Sequence, residues 1–410
     1  MKSYVKVQAI WTAAIVFSIA STIAAAPSLS QTAFRAVAGA SCASLGTLTL
    51  HDAKRNKDIA VRVTYPTRDG TYPVILFSHG AGGSKDSYTY LSTYWAEHGY
   101  VVIQPTHQDS IGRPASAREG LRKLLQVIRK IPLDYAGWEN RSRDVSFVID
   151  CLPRIQRDVP VKLDTARIGI GGHSYGAFTS VIKCGGKVPG NALPYLHDAK
   201  DDRFKALLAI SPQAVRKSAK EFGFDDKNAW ANIRVPAMYM TGTYDQTGWT
   251  KAANRKQAFD GSPHGDKYFV VIDGANHMTF AGPSRISPRT ALAGPSRISP
   301  PTTLKNTMDK ESAAAPLAAS AAMNAGTGFQ RRRLLGERGA SQSIAAGLSQ
   351  RFGPPEKGDR ATMLKSVELV TTAFWDRYLK GDIKGAEFLS NYQSMSGSKQ
   401  DHANFKIETK

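Results

Sequence analysis

The amino-acid sequence predicts an α/β fold, with a mostly parallel sheet carrying helices on both faces. Two observations predict it. From residue 47 onward, apolar runs of strand length alternate with helix-length amphipathic runs. Several of the later strand runs are almost wholly apolar, as strands covered on both faces must be. A length of 410 residues admits either two average domains or one large α/β core.

Eight strand candidates follow in order: TLTLHD, IAVRVTYPT, YPVILFSHG, GYVVIQPTH, RIGIGGHS, FKALLAISP, VPAMYMTGTYD and KYFVVIDGANH. The first two alternate polar and apolar residues more than the rest and are expected to form an antiparallel edge. Helices are expected near 87–98, 115–130, 140–153, 175–184, 249–259 and 361–380. In the last of these, Met363, Leu364, Val367, Val370, Phe374, Tyr378 and Leu379 make one apolar stripe at helical spacing, which implies packing on the sheet.

Outside this core the texture changes. Lys2 and Lys6 precede an apolar run, roughly Ile10 to Ile23, ending in Ala24-Ala25-Ala26. This is the layout of a cleavable export signal over residues 1–26, and the run falls short of the ~20 residues of a membrane span. The expected location is therefore periplasmic or secreted, with no integral span after cleavage. Residues 27–46 read as an N-terminal extension and 47–280 as the core. At 281–288 and again at 293–300 stands AGPSRISP, and the chain stays rich in Ala, Ser, Gly and Pro to about residue 358. That composition offers too little apolar surface to offset chain entropy, so 281–358 reads as a disordered insertion. Residues 359–410 read as a closing helix plus a tail.

The formal net charge is +20. A basic balance suits nucleic acid, but residues 281–360 alone hold 12 Lys and Arg against 5 Asp and Glu, densest at Arg331-Arg332-Arg333. No interleaving of aromatic and basic residues accompanies them, so no nucleic-acid partner is expected. Cys42, Cys151 and Cys184 permit one disulfide in any of three pairings and show no metal-ligand spacing. Cys151 falls in the apolar register of VSFVIDCL and is expected in the core.

The chemistry centres on ARIGIGGHSYGAFTS, residues 166–180. Gly-x-Ser-x-Gly alone arises by chance in roughly one such chain in five, so its context decides. Here a strand leads directly into Gly172-His173-Ser174-Tyr175-Gly176, and a helix-compatible run follows. So tight a strand-to-helix turn exposes Ser174 in an unfavourable backbone geometry, and only small flanking residues leave room for it. A serine hydroxyl needs a general base that is itself oriented by a carboxylate. Asp245 and His277 each stand just past a later strand, in the chain order Ser, Asp, His, and would reach the same sheet edge as Ser174. Asp273, four residues before His277, is a second candidate acid. His79, His107 and His173 compete less well as the base, and His51, His98, His197, His264 and His402 lack a strand-end context.

An acyl-transfer site also needs donors for the oxyanion. The Tyr175 backbone amide, at the helix start, is one candidate. A second comes from the glycine-rich loop His79-Gly80-Ala81-Gly82-Gly83, where the Ala81 amide is the first choice and Gly80 the next. Gly80, His107 and Trp249 are candidate substrate contacts and Trp138 a further apolar one, while the basic segment 110–140 is a candidate lid.

Together VILFSHGAGGSKDSYTYLSTYWAEHGYVVIQPTHQDS, NRSRDVSFVID, IGGHSYGAFTS, VPAMYMTGTYD, VIDGANHMTF and TTAFWDRYLKGD cover most of 59–280 and then 361–389. In their order and spacing they resemble the α/β-hydrolase superfamily, and within it exported bacterial hydrolases similar to dienelactone hydrolase, platelet-activating-factor acetylhydrolase and chlorophyllase. The resemblance implies an α/β-hydrolase fold with an eight-stranded sheet and a triad of Ser174, Asp245 and His277. It also implies oxyanion amides at Tyr175 and Ala81, and hydrolysis of a small or lipid-like carboxylic ester through an acyl-serine without metal or organic cofactor. The basic segment near 110–140 and the long insertion after His277 depart from the family pattern. Two alternatives stand beside the esterase: a catalytically silent scaffold that serves as a binding module, and a hydrolase of another acyl bond such as a lactone or amide.

Overall fold

The computed structural model describes residues 41–196, 199–282, 352–395 and 405–410. The expected signal, most of the extension and most of the low-complexity segment lie outside the described residues. Nine strands form one sheet in the order β1-β2-β4-β3-β5-β6-β7-β8-β9. They are β1 (Cys42–Asp52), β2 (Lys57–Pro66), β3 (Thr71–Ser78), β4 (Val101–Pro105), β5 (Lys162–His173), β6 (Phe204–Ile210), β7 (Ala237–Tyr244), β8 (Lys267–Asn276) and β9 (Phe405–Thr409). The six strands from β4 to β8 run parallel, and β1 and β2 form the expected antiparallel edge.

Two expectations are corrected here. The sheet has nine strands, not eight, because the tail returns as β9, antiparallel to β8. Five residues with alternating exposure carry too weak an apolar signal to be singled out in FKIET. The closing segment also holds two helices where one was expected, α8 and α9 below. Cys151 is half-buried at the end of its helix and packs against the core as expected, and all three cysteines are free.

Nine helices flank the sheet among the described residues: α1 (Thr89–Glu97), α2 (Ala117–Lys130), α3 (Tyr135–Asp150), α4 (Leu152–Gln156), α5 (Tyr175–Lys183), α6 (Leu193–Leu196), α7 (Gln257–Asp260), α8 (Arg360–Trp375) and α9 (Ile383–Met395). Their starts are chemically marked. Ser116 caps α2 by accepting from the Glu119 N–H, and Glu119 reaches back to the Ala115 N–H, a reciprocal capping arrangement. Asp134 caps α3 by accepting from the Gly137 N–H, and Asp359 caps α8 by accepting from the Thr362 N–H.

The two faces of the sheet build separate cores. On one face α3 and α5 pack Val145, Val148, Phe178 and Val181 against β3, β5 and β6. On the other, α1 and α8 pack Leu91, Trp95, Val367, Val370 and Phe374 against alternate residues of the same strands. A strand whose side chains enter both cores must be apolar where it is covered, which is why β6 reads FKALLAI, apolar except for the exposed Lys205 near its start. No helix among the described residues is long and apolar enough to cross a membrane.

Trp375 closes the second core. It meets Trp95 edge-on at 6.0 Å between centroids, and its ring lies over Gly169, where a Cβ would come within 2.7 Å of it. Replacing Trp375 with alanine is expected to cost about 3–5 kcal/mol. Urea unfolding should show this as a lower midpoint at unchanged slope; an unchanged midpoint would mean that α8 adds little to the core.

Candidate active site

Ser174 stands at the junction of β5 and α5. Its backbone has φ 56° and ψ −116°, well outside the regions a side-chain-bearing residue prefers. The tightness of the turn sets the flanking residues. A Cβ on Gly172 would meet the backbone of Gly176, and one on Gly176 would meet the carbonyl of Ser78. Both expected glycine roles are therefore steric.

His277 and Asp245 follow the last residues of β8 and β7. The His277 Nε2 lies 3.0 Å from Ser174 Oγ, and its Nδ1 lies 2.8 Å from Asp245 Oδ1. Asp245 Oδ2 accepts from Ser211 Oγ at 2.6 Å and from Thr241 Oγ1 at 3.0 Å. Asp273 is exposed and accepts from Thr243 at 3.3 Å, away from this chain of bonds. Asp245 and His277 are buried, whereas Ser174 is partly open.

Electrostatics sort the protonation states. Burial alone would raise the Asp245 carboxyl, but the Arg255 guanidinium and the His277 hydrogen bond outweigh it and hold it below the ordinary carboxylate range. Burial lowers the His277 imidazole; Asp245 opposes that shift and Arg255 adds to it. At neutral pH the pair is a carboxylate and an uncharged imidazole. A neutral imidazole hydrogen-bonded to a hydroxyl can take its proton as the oxygen attacks an electrophile.

The loop after β3 has its own buried scaffold. The Gly80 N–H donates to Tyr88 Oη at 3.3 Å and the Gly82 N–H to Asp109 Oδ2 at 3.0 Å. Between them, the Ala81 N–H has no acceptor among the described residues. The Tyr175 N–H opens α5, where the first amides have no intrahelical partner. Ala81, Gly80 and Tyr175 line the same cavity as Ser174 and His277.

Arg141, 2% exposed, ties this loop down. It donates to the His79 carbonyl at 2.8 Å, to the Gly80 carbonyl at 3.3 Å and to both oxygens of Asp109 at 2.8 and 2.9 Å. Its guanidinium also lies 4.0 Å from the centre of the Tyr175 ring. One cation thus touches both elements that present candidate oxyanion amides. Beside it, His107 Nε2 pairs with Ser78 Oγ at 2.9 Å and Nδ1 with Asp144 Oδ2 at 3.0 Å. Burial and then Arg141 lower the His107 imidazole, while its hydrogen bond to Asp144 opposes them.

The cavity is open to solvent on one side. Its walls are mostly apolar: Leu124 and Ile128 from α2, with Ile131, Phe222, Trp249 and Phe352. The segment read as a candidate lid thus supplies three of them, Leu124, Ile128 and Ile131. Phe352 stacks nearly parallel on the His277 ring, with centroids 5.7 Å apart. Among the described residues, no group of three or more His, Cys, Asp or Glu side chains is arranged to hold a metal ion.

A family model described as chlorophyllase matches residues 36–221. That span holds Ser174 and the β3 loop and stops before Asp245 and His277. Among curated proteins, a cutinase of Thermobifida alba is 23% identical over 53% of this chain and 56% of its own length. A type 0 chlorophyllase of Chenopodium album is 24% identical over 54% of this chain and 59% of its own. The chain thus spans little more than half the length of these relatives. A solved ferulic acid esterase of Streptomyces cinnamoneus aligns with a TM-score of 0.52 at 15% identity, covering 90% of this chain and 96% of that one. With the strand order and the serine turn, this likeness decides the fold.

The chain belongs to the α/β-hydrolase superfamily.

Within this α/β-hydrolase the structure brings together Ser174, Asp245, His277, Tyr175, Ala81, Gly80 and Trp249. It places His107 elsewhere. As a candidate substrate contact His107 is corrected: it is buried between Ser78 and Asp144 and does not line the cavity. Trp138 likewise belongs to the core and donates to the Ile131 carbonyl at 2.8 Å. His173 points away from Ser174 Oγ and shares a hydrogen bond with Tyr88 Oη at 2.8 Å. Arg141, Asp109, Tyr88, Ser211, Arg255 and Phe352 escaped the sequence reading. One signal was present, because NRSRD sets charged residues into the apolar stripe of a helix, where only a buried partner could hold them.

Replacing Arg141 with methionine keeps most of the volume and removes the clamp on the β3 loop. The folded variant is expected to react about 10²-fold more slowly than wild type with a serine-directed fluorophosphonate. Equal labelling rates would show that the loop holds its shape without Arg141.

Proposed function

We propose that this α/β-hydrolase is an exported serine esterase that cleaves carboxylic esters through an acyl-serine. The observation that carries the reading is the hydrogen-bonded chain from Ser174 Oγ through His277 to Asp245 at the floor of an apolar cavity. Ser174 is the nucleophile. As its oxygen bonds to the ester carbonyl carbon, its proton passes to His277 Nε2, and Asp245 holds the ring in the tautomer whose Nε2 is free to accept it. Charge gathers on the carbonyl oxygen, and the amides of Ala81 and Tyr175 are the donors for it. His277 then returns the proton to the departing alcohol. Water, activated by the same imidazole, releases the acid and restores Ser174.

An ester is the favoured bond because the relatives named above are cutinases, chlorophyllases and a ferulic acid esterase. The six apolar walls favour a substrate with a bulky apolar portion. Gln213 also lines the cavity, and its side-chain oxygen is buried without a partner among the described residues, a polar contact in a mostly apolar cleft. Export rests on Lys2, Lys6 and the short apolar run ending in three alanines. A silent scaffold is disfavoured because no group of the relay is missing.

The test is fluorophosphonate labelling of the purified protein beside folded Ser174→Ala and His277→Ala variants, followed by turnover of p-nitrophenyl esters of rising chain length. Wild type should be labelled and active, and both variants should lose at least ~10³-fold in turnover. A folded wild type that is neither labelled nor active would refute the esterase.

A further inference from the structure

Arg255 lies on a 3-10 turn (Ala252–Lys256) between the Trp249 wall and α7, and it is 1% exposed. Its Nη2 stands 3.0 Å from Asp245 Oδ1, the same oxygen that takes the His277 Nδ1 at 2.8 Å. The remaining nitrogens donate to backbone: Nε to the Asp245 carbonyl at 3.0 Å, and Nη1 to the Ser211 and Pro212 carbonyls at 2.9 and 2.8 Å. One guanidinium thus binds the loop ends of both β6 and β7, together with the carboxylate that orients the base. Arg255 Nη2 also lies 3.3 Å from His277 Nδ1. Because Nδ1 donates to Asp245, this is a close approach of two donors rather than a hydrogen bond.

We propose that Arg255 is a positioning residue that fixes Asp245 and keeps His277 uncharged in the resting site, extending turnover into mildly acidic conditions. The inference rests on the hydrolase reading above and adds a device to it. A triad of aspartate and neutral imidazole alone carries one negative charge, which attracts a proton to the base. With Arg255 buried against the aspartate the resting cluster is neutral, and a proton on His277 would leave an uncompensated positive charge out of contact with water. The transition state escapes this penalty. There the proton on His277 has come from Ser174, and the balancing negative charge sits on the substrate oxygen, so the site remains neutral overall. Arg255 therefore opposes the unproductive protonation more than the productive one.

The other groups facing His277 do not supply this effect. Ser174 and the Phe352 ring are uncharged, and His173, whose ring centroid is 4.7 Å from that of His277, is kept neutral by burial.

The experiment compares wild type, Arg255→Gln and Arg255→Lys. Two readouts are taken: kcat/KM for p-nitrophenyl acetate from pH 5 to 8.5, and the imidazole titration of His277 by NMR. If Arg255 acts as proposed, the neutral glutamine variant loses about tenfold more activity at pH 5.5 than at pH 8 relative to wild type, a displacement of one pH unit, and its imidazole titrates at higher pH. The lysine variant keeps the wild-type ratio between the two pH values while losing rate at both. A purely structural arginine would lower the rate of both variants by the same factor at every pH, with the titration unmoved, and that result overturns the proposal. Should neither variant fold, wild type decides: an imidazole of His277 titrating at or above pH 6.5 refutes the inference. Since the NMR titration needs no turnover, failure of the esterase reading would be seen separately, as a wild type inactive on every ester.

Discussion

Four neighbouring parallel strands each deliver one residue at the carboxyl edge of the sheet, and the site depends on that constraint. Ser174, Ser211, Asp245 and His277 are the first residues past β5, β6, β7 and β8. The ladder continues one step beyond β5 and β6, since the Ser174 N–H donates to Ile210 and the Ser211 N–H to Met240. β7 runs further than β6, and the Asp245 N–H turns back to the Gly242 carbonyl at 3.0 Å, which returns the carboxylate to Ser211. Strand spacing thus sets the distances between Ser174, His277 and Asp245 before any side-chain contact is made. Ser174 and Ser211 both carry positive φ, at 56°, so strain of order 1–3 kcal/mol per residue is held where the chain leaves the sheet. Two packed cores beneath the edge over-determine that geometry.

The loops leaving this edge turn carbonyl groups inward, and each inward carbonyl needs a donor. On the oxyanion side Arg141 serves His79 and Gly80; on the acid side Arg255 serves Asp245, Ser211 and Pro212. An apolar side chain of equal volume would fill either space but leave those carbonyls unpaired. A lone buried cation would itself be costly, and each is therefore matched: Arg141 by Asp109, Arg255 by Asp245. Arg141 and the hydrogen bonds it donates hold Asp109 below the ordinary carboxylate range against the opposing effect of burial. Both flanks of the serine thus use one device, a buried ion pair that spends its spare donors on backbone.

This division explains what the sequence made legible. Ser174, Asp245 and His277 were readable because each sits directly after an apolar strand run, and the serine turn admits only glycine on both sides. Arg141 and Arg255 were not readable, since their partners are backbone carbonyls and carboxylates up to 62 residues away in the chain, and no local pattern encodes a loop carbonyl's need for a donor. His107 misled for the same reason: a histidine after a strand suits a cavity wall and a buried relay equally well, and only the position of Asp144 on α3 separates them. β9 and α9 were missed because a five-residue edge strand and a weakly amphipathic closing helix take their stability from the elements they cover.

His277 itself is anchored by described residues on both sides of the low-complexity segment. Asn276 Oδ1 accepts from the N–H groups of Met278 and Thr279 at 2.9 and 3.0 Å, which curls the chain tightly after His277, and Tyr90 Oη donates to the Phe280 carbonyl at 3.0 Å. From the far side, Asn276 Nδ2 donates to Pro354, Thr279 Oγ1 to Glu356, the Lys357 N–H to Gly274 and Arg360 to the Met278 carbonyl. Residues 352–358, read with the low-complexity stretch, are therefore built into the His277 loop. Among the described residues, the contacts that hold the imidazole come from residues before 283 or after 351. Described residues on both sides of the long departure thus join in holding His277 beside Ser174.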